Sequence, residues 1–534
     1  MLGMEKYFNT TGPVDARYHY CLPPLQRLDM EDVLRLIAQM RYFVLHAPRQ
    51  TGKTSVLLAL QEYLNARGDV RALYVNVEGG QAARENMVEG IATIVRNSAA
   101  QAQDRLGDDR ALILANEILA VYGPTNALSE FLRRWCNAQA KPTVLLIDEI
   151  DTLIGDTLVA VLRQLRAGYT NRPEHFPSSV ILCGVRDVHD YRLQGDDGKP
   201  LVTGGSAFNI SAKSLRLGNF VRQEIETLYQ QHTATTGQAF VPDAIELVWQ
   251  LTNGQPWLVN ALANEVCFEM KAGRDRSLTI STEMIQQAKE NLILRRVTHL
   301  DQLTDKLKEA RVRRVIEAVL SEANSVRSIP PDDVDYVRDL GLIRTAQQIV
   351  IANPIYQEII PRTLTYSTQL TISESSVWYV RPDHSLDMEK LLAAFQQFFR
   401  ENVESWLERF DYKEAGPQLL LQAFLQRIVN GGGAIVREYG LGRGRTDLLV
   451  IWPLIPDDSP YSPNPHKQRA VIELKLLHKT LEKTISEGIV QTRTYMESCG
   501  ASEGHLVVFD RTSQKPWSKK IFKRVRAGIT VWGM

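Results

Sequence analysis

The sequence predicts a multidomain α/β protein, and three observations support this prediction. Between residues 31 and 212, apolar strand-like runs alternate with amphipathic helical runs. From about residue 214 to residue 296 the pattern is helical, with breaks at Gly and Pro. After a Ser/Thr-rich stretch the pattern starts again at Asp387, with two helices followed mainly by strands. At 534 residues the chain is long enough for about three or four domains, each with its own core.

Composition and charge narrow the classes of function. Lys+Arg and Asp+Glu are equal at 62 each, so any nucleic-acid site must be a local basic patch. The 5 cysteines are scattered and form no Cys-x-x-Cys pair, which argues against a disulfide framework or a zinc knuckle. The N-terminus lacks a signal-peptide pattern, and no apolar run reaches the roughly 18 residues of a membrane span. We therefore expect a cytoplasmic protein without a membrane partner.

The elements of the first 365 residues follow in order. The runs "RYFVLHA", "RALYVNVEG", "PTVLLIDEID" and "SSVILCGVRD" are apolar without alternation, which is typical of a parallel sheet covered on both faces. The helical stretch after them predicts a separate helical subdomain. Two further helices and the short strand-like stretch "GLIRTAQQIVIANP" then fit a winged helix. The expected division is a leader (1–30), an α/β core (31–212), a helical lid (213–300), a winged helix (301–365), a linker (366–386) and a C-terminal α/β domain (387–534).

The stretch "HAPRQTGKTS" leaves a strand and enters an apolar helix, which is the context of a phosphate-binding loop. The loop begins at Ala47 where this motif has a glycine, so it must begin without a positive φ. We expect ATP to be bound by the residues of this loop, with Lys53 on the β- and γ-phosphates and the Thr54 hydroxyl on Mg²⁺. The loop residues are Pro48, Arg49, Gln50, Thr51, Gly52, Lys53 and Thr54.

Two acidic residues end the strand "PTVLLID" at the same edge of the predicted sheet. Asp148 is expected to hold the Mg²⁺ shell, and Glu149 to polarise the attacking water. Arg186 follows the next strand, where it would serve either as a γ-phosphate sensor or as a surface cap.

Together with the segment "NGQPWLVN", these motifs resemble AAA-like ATPases of the STAND class over about residues 12–362. The resemblance implies that Gly254 and Pro256 lie near the adenine. It also implies that the winged helix packs against the nucleotide to hold an inactive state. No second arginine motif marks an inter-subunit finger, so a homo-oligomer is left open.

A second candidate site lies in the stretch "VIELKLLHKT". Because side chains alternate along a strand, Glu473 and Lys475 are expected on one face. Asp447 begins the preceding strand "DLLVIW", so a hairpin would bring it beside them. Two carboxylates and the Leu474 carbonyl would suit Mg²⁺ or Mn²⁺, and the lysine would orient the attacking water. A solvated edge strand would carry the same Glu-x-Lys pattern.

This constellation resembles the PD-(D/E)XK phosphodiesterase superfamily, with its restriction-endonuclease-like fold, over about residues 387–533. The resemblance implies that Gln491 and Tyr495, one helical turn apart, hold nucleic acid near the metal. The first core helix offers Gln418 and Gln422 where many members carry a glutamate. A basic run from Lys515 to Arg526, expected on a strand followed by a helix, is either a nucleic-acid patch or a solvated helix face.

Two hypotheses of function follow. The first is a nucleotide-gated, metal-dependent nuclease, with DNA a better candidate than RNA. The second is a STAND-type ATPase switch whose last domain binds nucleic acid or a partner without cutting it.

Overall fold

The structure of the protein is a computed structural model that describes most of the chain. The described residues are 5–185, 211–295, 305–320, 329–345, 349–364, 378–409, 420–422, 424–425, 433–441, 444–454, 467–477, 480–510, 512 and 515–534. The chain divides into two compact units: Met1–Leu303 with Pro330–Ile355, and Thr304–Ile329 with Tyr356–Met534. Among the described residues, no helix is both long enough and apolar enough to cross a membrane.

The N-terminal residues form ordered structure ahead of the core. Two short strands, β1 (Tyr7–Phe8) and β2 (His19–Tyr20), pair in parallel and are followed by a 3-10 turn (Pro24–Arg27). Helix α1 (Met30–Ala38) then begins behind Asp29, whose carboxylate accepts a hydrogen bond from the Asp32 N–H. This capping satisfies one of the free N–H groups at the helix start.

A five-stranded parallel sheet forms the centre of the first unit, as the apolar runs predict. Its strands are β3 (Tyr42–His46), β4 (Arg71–Asn76), β5 (Thr143–Asp148), β6 (Ser179–Gly184) and β7 (Ser211–Arg216). They are arranged in the order β4-β5-β6-β3-β7. The strand β6 therefore lies between β3 and β5, and the carboxyl ends of all five strands meet at one edge.

Helices cover both faces of this sheet. They are α2 (Lys53–Arg67), α3 (Met87–Leu106), α4 (Arg110–Tyr122), α5 (Ala127–Asn137) and α6 (Gly155–Ala167). One apolar core is formed by the sheet with α1 and α2, and the other by the sheet with α3 to α6. The pattern of continuous apolar strands thus reflects burial from both sides.

The lid predicted after the core is helical. It contains α7 (Arg222–Thr236), α8 (Pro242–Thr252), α9 (Pro256–Asn264) and α10 (Thr282–Leu294). Pro242 and Pro256 each occupy the first position of a helix, where the missing N–H has no intrahelical partner to lose.

The segment expected to be a winged helix contains the two predicted helices, α11 (Ala310–Leu320) and α12 (Pro331–Asp339). The predicted strand-like stretch forms β8 (Ile343–Thr345) and β9 (Ile349–Ile351), and a further helix, α13 (Pro354–Leu364), follows. The strands β8 and β9 pair antiparallel. Helix α11 belongs to the second unit, whereas α12, β8 and β9 belong to the first.

The second unit is built on a mixed six-stranded sheet. After helix α14 (Met388–Arg409) come β10 (Ala434–Leu441), β11 (Gly444–Pro453), β12 (Lys467–Leu476), helix α15 (Leu481–Cys499), β13 (Glu503–Phe509), a short helix (Trp517–Lys520), β14 (Phe522–Arg526) and β15 (Ile529–Gly533). The strand order is β10-β11-β12-β13-β15-β14, with β12, β13 and β15 parallel. The described residues 420–422 and 424–425 are helical.

Two expectations of the sequence are wrong. Residues 214–216, assigned to the helical lid, belong to β7, because the polar sequence "SAKSLR" is stabilised as a strand by pairing with β3. The basic run near the C-terminus does not continue as a helix beyond Lys520. It continues as β14, which pairs antiparallel with β15, because Phe522 and the apolar β15 complete the sheet.

Candidate functional site

The phosphate-binding loop joins β3 to α2 in the geometry that the motif requires. Positive φ values occur at Gln50 (57°) and Gly52 (88°), and not at Ala47. Gly52 is the N-cap of α2, so the backbone N–H groups of the first helical turn face the loop. The alanine at the first motif position is therefore compatible with the loop, since the left-handed conformation is needed only further along.

Lys53 is buried and lies within its own loop. Its ammonium donates to the carbonyl oxygens of Ala47 (3.0 Å) and Pro48 (3.1 Å). The Thr51 hydroxyl also donates to the Pro48 carbonyl, at 2.7 Å. These bonds hold the loop closed around a positive charge that a phosphate would neutralise.

Asp148, the last residue of β5, is fully buried and lies beside the loop. Its Oδ2 accepts hydrogen bonds from the Thr54 hydroxyl (2.7 Å) and from the Tyr74 hydroxyl (2.9 Å). A hydroxyl and a carboxylate are oxygen ligands of the kind that Mg²⁺ prefers. The donor set of Thr54 and Asp148 thus fits a magnesium ion.

Glu149 follows directly in a left-handed conformation, with φ 58° and ψ 36°. Its N–H donates to Oδ1 of Asp148 at 3.0 Å. Burial raises the pKa of the Glu149 carboxyl above its usual value, and the Lys53 ammonium partly lowers it again. A non-glycine residue costs about 1–3 kcal/mol in this conformation, which residues at functional sites commonly adopt.

A cleft opens beside the loop in the first unit. It is lined by loop residues such as Gly52, by Pro256 and Trp257 of α9, and by residues of the N-terminal segment such as Thr10 and Tyr20. The mainly apolar walls and the adjoining phosphate loop suit a nucleotide base. Gly254, implied near the adenine, lies two residues before Pro256.

The N-terminal segment is fixed over this cleft by specific contacts. The indole N–H of Trp257 donates to the Thr10 carbonyl (2.9 Å), and the Val14 N–H donates to the hydroxyl of Ser55 in α2 (3.0 Å). The Gln231 amide exchanges two hydrogen bonds with the backbone of Cys21, at 3.0 and 3.1 Å. Residues expected to be only a leader thus form one wall of the candidate site.

Arg27 connects the phosphate loop to the lid. Its guanidinium donates to the carbonyl oxygens of Thr51 and Gly218, and its carbon Cζ lies 4.9 Å from the ring centre of Phe220. Burial lowers the pKa of Arg27 to about 10, so the group stays charged near neutral pH. No local pattern marks this residue, because its partners are distant along the chain.

Residues of the segment 330–355 contact both the loop and the lid within the first unit. The Asn253 amide donates to the Ala352 carbonyl at 2.8 Å, and the Arg216 guanidinium donates to the Arg338 carbonyl at 3.0 Å. A Cβ on Gly341 would lie 2.7 Å from two ring carbons of Pro48, so this glycine packs closely against the phosphate loop.

The second candidate site centres on β12 in the second unit. Lys475 Nζ lies 2.8 Å from Glu473 Oε1, with 3% of the glutamate side chain exposed. The neighbouring residues Ile472 and Leu474 belong to the apolar core that α14 covers. The expected alternation is therefore confirmed, and the ion pair lies on the opposite face from this core.

The register of β11 and β12 brings Asp447 near this pair along the backbone. Leu448 pairs with Ile472 in the antiparallel ladder. Continuing this register by one residue places the backbone of Asp447 opposite that of Glu473. The side chain of Asp447 lies outside the described residues, as does the whole of Arg186. Among the side chains that the structure does describe, no group of three or more His, Cys, Asp or Glu could hold a metal.

Gln491 and Tyr495 lie on α15, which packs against the same sheet. Tyr495 is buried in a small core with Val471 of β12, whereas Gln491 is exposed. Helix α15 therefore covers the face of β12 that carries residues 471, 473 and 475. Of the two glutamines noted on the first core helix, Gln422 is described and Gln418 is not.

The basic residues near the C-terminus are largely paired with acids. Lys515 pairs with Asp510 (2.6 Å), Lys523 with Glu389 (2.9 Å), and Arg526 with Glu482 (2.6 Å). Arg524 also approaches Glu482, at 3.5 Å. Each neighbouring acid reduces the positive potential that the sequence alone predicts here.

Comparison with known proteins agrees with the first site. A family model described as an AAA domain matches residues 38–191. A search of curated proteins finds no match to the chain.

The solved structures that resemble the chain include proteins from three different organisms. A Walker-type ATPase of Pyrococcus abyssi is 14% identical with a TM-score of 0.44, over 66% of this chain and 99% of that one. The RuvB Holliday junction branch migration motor of Thermotoga maritima is 13% identical with a TM-score of 0.33, over 63% and 94%. Cdc6p from Pyrobaculum aerophilum is 15% identical with a TM-score of 0.33, over 64% and 93%. At these values no functional property is transferred from them.

The family match and the geometry of the loop agree on one class. Residues 38–191 match the AAA domain model, and the described part of this region contains the phosphate-binding loop and strands of a parallel sheet. ATP and Mg²⁺ fit its loop and its buried carboxylate, which supports an ATP-binding P-loop ATPase function.

Proposed function

We propose that the protein is a nucleotide-gated nuclease. In this proposal the first unit binds and hydrolyses ATP with Mg²⁺, and the second unit cuts DNA with Mg²⁺ or Mn²⁺. The hydrogen bond between Thr54 and Asp148 carries the ATPase part, because it joins the metal-binding hydroxyl and carboxylate at the end of the phosphate loop. The ion pair of Glu473 and Lys475 carries the nuclease part.

In the ATPase part, each polar group at the loop has one role. Lys53 would exchange its loop carbonyl partners for phosphate oxygens. Thr54 and Asp148 would hold a magnesium ion, which would supply positive charge to neutralise the phosphates. Glu149 lies next in the chain and accepts a proton from the attacking water. Its raised pKa makes it a better proton acceptor than an ordinary surface carboxylate.

The gate is assigned to the lid and to residues 330–355, in accord with the resemblance to STAND-class ATPases and their winged helix. Within this segment, Ala352 accepts a hydrogen bond from Asn253 of the lid, and Gly341 packs against Pro48 of the loop. Nucleotide phosphates that bind to the loop would change the loop surface against which Gly341 packs. The differential fit of this segment to nucleotide-free and nucleotide-bound loops supplies the coupling energy.

In the nuclease part, Glu473 would hold the metal ion together with Asp447 and the Leu474 carbonyl. Lys475, one residue beyond, orients the water that attacks the scissile phosphate. Gln491 and Tyr495 are assigned to holding the nucleic acid. The burial of Glu473 supports this interpretation over a solvated edge strand. The strand β12 lies inside the sheet, where burying a charged side chain lowers the stability of the fold unless the charge interacts favourably.

The ATPase part is tested with Lys53→Ala. Calorimetric titration with ADP and Mg²⁺, and phosphate release from ATP, should both lose most of their signal. Lys141→Ala is the matched control, because Lys141 is exposed at the opposite end of the sheet, next to β5. Equal behaviour of the two variants would contradict nucleotide binding at the loop.

The nuclease part is tested by nicking of plasmid and single-stranded DNA with Mg²⁺ or Mn²⁺. Lys475→Ala should abolish cutting, whereas Lys467→Ala, at the exposed start of the same strand, should retain it. Lys53→Ala should change the nucleotide dependence of cutting.

A second candidate function is an ATPase switch that binds nucleic acid without cutting it. The glutamine at 422, in place of the glutamate common in the resembling family, favours this alternative. Metal-independent DNA binding with no nicking under any of these conditions would support it over the nuclease.

A further inference from the structure

The Asp148 carboxylate is held by two hydroxyl groups on a single oxygen. Thr54 belongs to the phosphate loop, whereas Tyr74 belongs to β4, the edge strand next to β5. The second oxygen accepts the Glu149 N–H. Both carboxylate oxygens are thus engaged, and the orientation of the group is fixed from three directions.

Tyr74 is itself held firmly. It is 4% exposed, and its backbone N–H donates to Oε1 of Gln61 in α2 at 2.7 Å. The guanidinium carbon of Arg105 in α3 lies 4.9 Å from the centre of its ring. Burial and the Asp148 charge raise the pKa of the Tyr74 hydroxyl, so it remains a donor throughout the physiological range.

The two donors differ in what they can do for a metal ion. Thr54 stands at the position of the loop motif that ligates Mg²⁺, so its substitution removes a metal ligand as well as a bond to Asp148. Tyr74 lies on a different element, and its hydroxyl donates to the carboxylate from β4. Groups that orient metal ligands from behind commonly change metal affinity by about 10- to 100-fold when they are removed.

We propose that Tyr74 is a positioning residue that fixes the Asp148 carboxylate for Mg²⁺ and thereby sets the divalent-cation dependence of nucleotide binding. The proposal rests on the proposed ATPase function of the first unit. It assigns a role to β4, a strand that carries none of the motif residues.

The test is Tyr74→Phe, which removes one oxygen atom and leaves the ring in place. ADP affinity is measured by calorimetry in EDTA and over a series of Mg²⁺ concentrations. In EDTA the variant should stay within about twofold of wild type, and the Mg²⁺ concentration for half-maximal enhancement should rise by about tenfold or more. Tyr42→Phe is the matched control. Tyr42 lies in the same sheet as Tyr74, and its buried hydroxyl donates to the Pro177 carbonyl at 3.0 Å.

A double-mutant cycle separates positioning from a general loss of stability. In the Asp148→Asn background the negative charge is absent, so adding Tyr74→Phe should not shift the Mg²⁺ dependence further. The same shift in both backgrounds, or the same Mg²⁺ dependence for Tyr74→Phe and Tyr42→Phe, would overturn the proposal. Failure of the wild-type protein to bind ADP with or without Mg²⁺ would instead overturn the ATPase function itself.

Discussion

Gly254 is the position where a single methyl group should do the most damage to the first unit. Its φ is +72°, and a Cβ built there would lie 1.9 Å from the carbonyl oxygen of Phe220 and 2.9 Å from the Trp249 ring. The 1.9 Å contact is with backbone, so no side-chain rotation relieves it. The Phe220 N–H also donates to the Gly254 carbonyl at 2.8 Å, and this bond joins the entry of the lid to the end of α8.

The cost of Gly254→Ala has three parts. Three effects lower the free energy of unfolding. An alanine in the left-handed conformation costs about 1–2 kcal/mol, the overpacked contact about 1–3 kcal/mol, and the displaced hydrogen bond about 1 kcal/mol. The sum is about 3–6 kcal/mol. Gly237→Ala is the control, because Gly237 also has a positive φ (+78°) in the lid but nothing lies within 4 Å of its Cβ position. It should lose only the backbone strain of about 1–2 kcal/mol.

Thermal unfolding without nucleotide measures the difference. The melting transition of the first unit should fall roughly 4–8 °C further for Gly254→Ala than for Gly237→Ala. ADP affinity should fall with it, because Pro256 and Trp257 follow Gly254 directly and line the cleft. Equal melting temperatures and equal affinities for the two variants would refute the close approach of Gly254 to Phe220.

Two further predictions concern charged groups at the loop. Because burial raises the pKa of Glu149 above its ordinary value, ATP hydrolysis should decline as pH falls through the raised pKa. Glu149→Gln should remove both the activity and this acidic limb of the rate profile. Arg27→Met should weaken ADP binding by about tenfold in a calorimetric titration, since it loses donors to the carbonyls of Thr51 and Gly218. Arg27→Lys should not restore the affinity, because an ammonium cannot donate to both carbonyls and lie flat over Phe220.

The sequence predicts the parts of the fold that depend on local pattern. Continuous apolar runs predict β3, β4, β5 and β6, since burial on both faces removes any need for polar alternation. The strand β7 is not predicted, because its sequence "SAKSLR" is polar. It lies at the edge of the sheet and is stabilised as a strand by its pairing with β3. The two-residue strands β1 and β2 are not predicted either, since they are too short to carry a period.

The candidate site divides in the same way. Motif spacing predicts that the phosphate loop and Asp148 meet, because both follow strands of one parallel sheet. Tyr74, Arg27 and the N-terminal wall of the cleft depend on contacts between residues far apart in the chain. Trp257 and Thr10, for example, are 247 residues apart. No local pattern in one sequence encodes such a contact.

The C-terminal hairpin of β14 and β15 offers a test of whether its basic residues bind nucleic acid. Glu482 stands at the start of α15 and pairs with Arg526 (2.6 Å) and approaches Arg524 (3.5 Å). If this surface meets phosphates, the glutamate competes with them, so Glu482→Gln should increase DNA affinity rather than reduce it. Each arginine released to a phosphate should steepen the dependence of log affinity on log salt by about 0.9.

The matched control is Glu497→Gln, which removes an exposed acid from the same helix. Glu497 forms no ion pair within the described part of the chain. Fluorescence anisotropy with a labelled duplex, measured across a salt series, compares the two variants. A gain confined to Glu482→Gln, with the steeper slope, would place phosphate contacts on the hairpin. Equal gains for the two variants would mean that only the net charge of the protein affects DNA affinity. No gain for either variant would assign nucleic-acid binding to another surface, because the arginines freed from Glu482 would then have no DNA phosphate within reach.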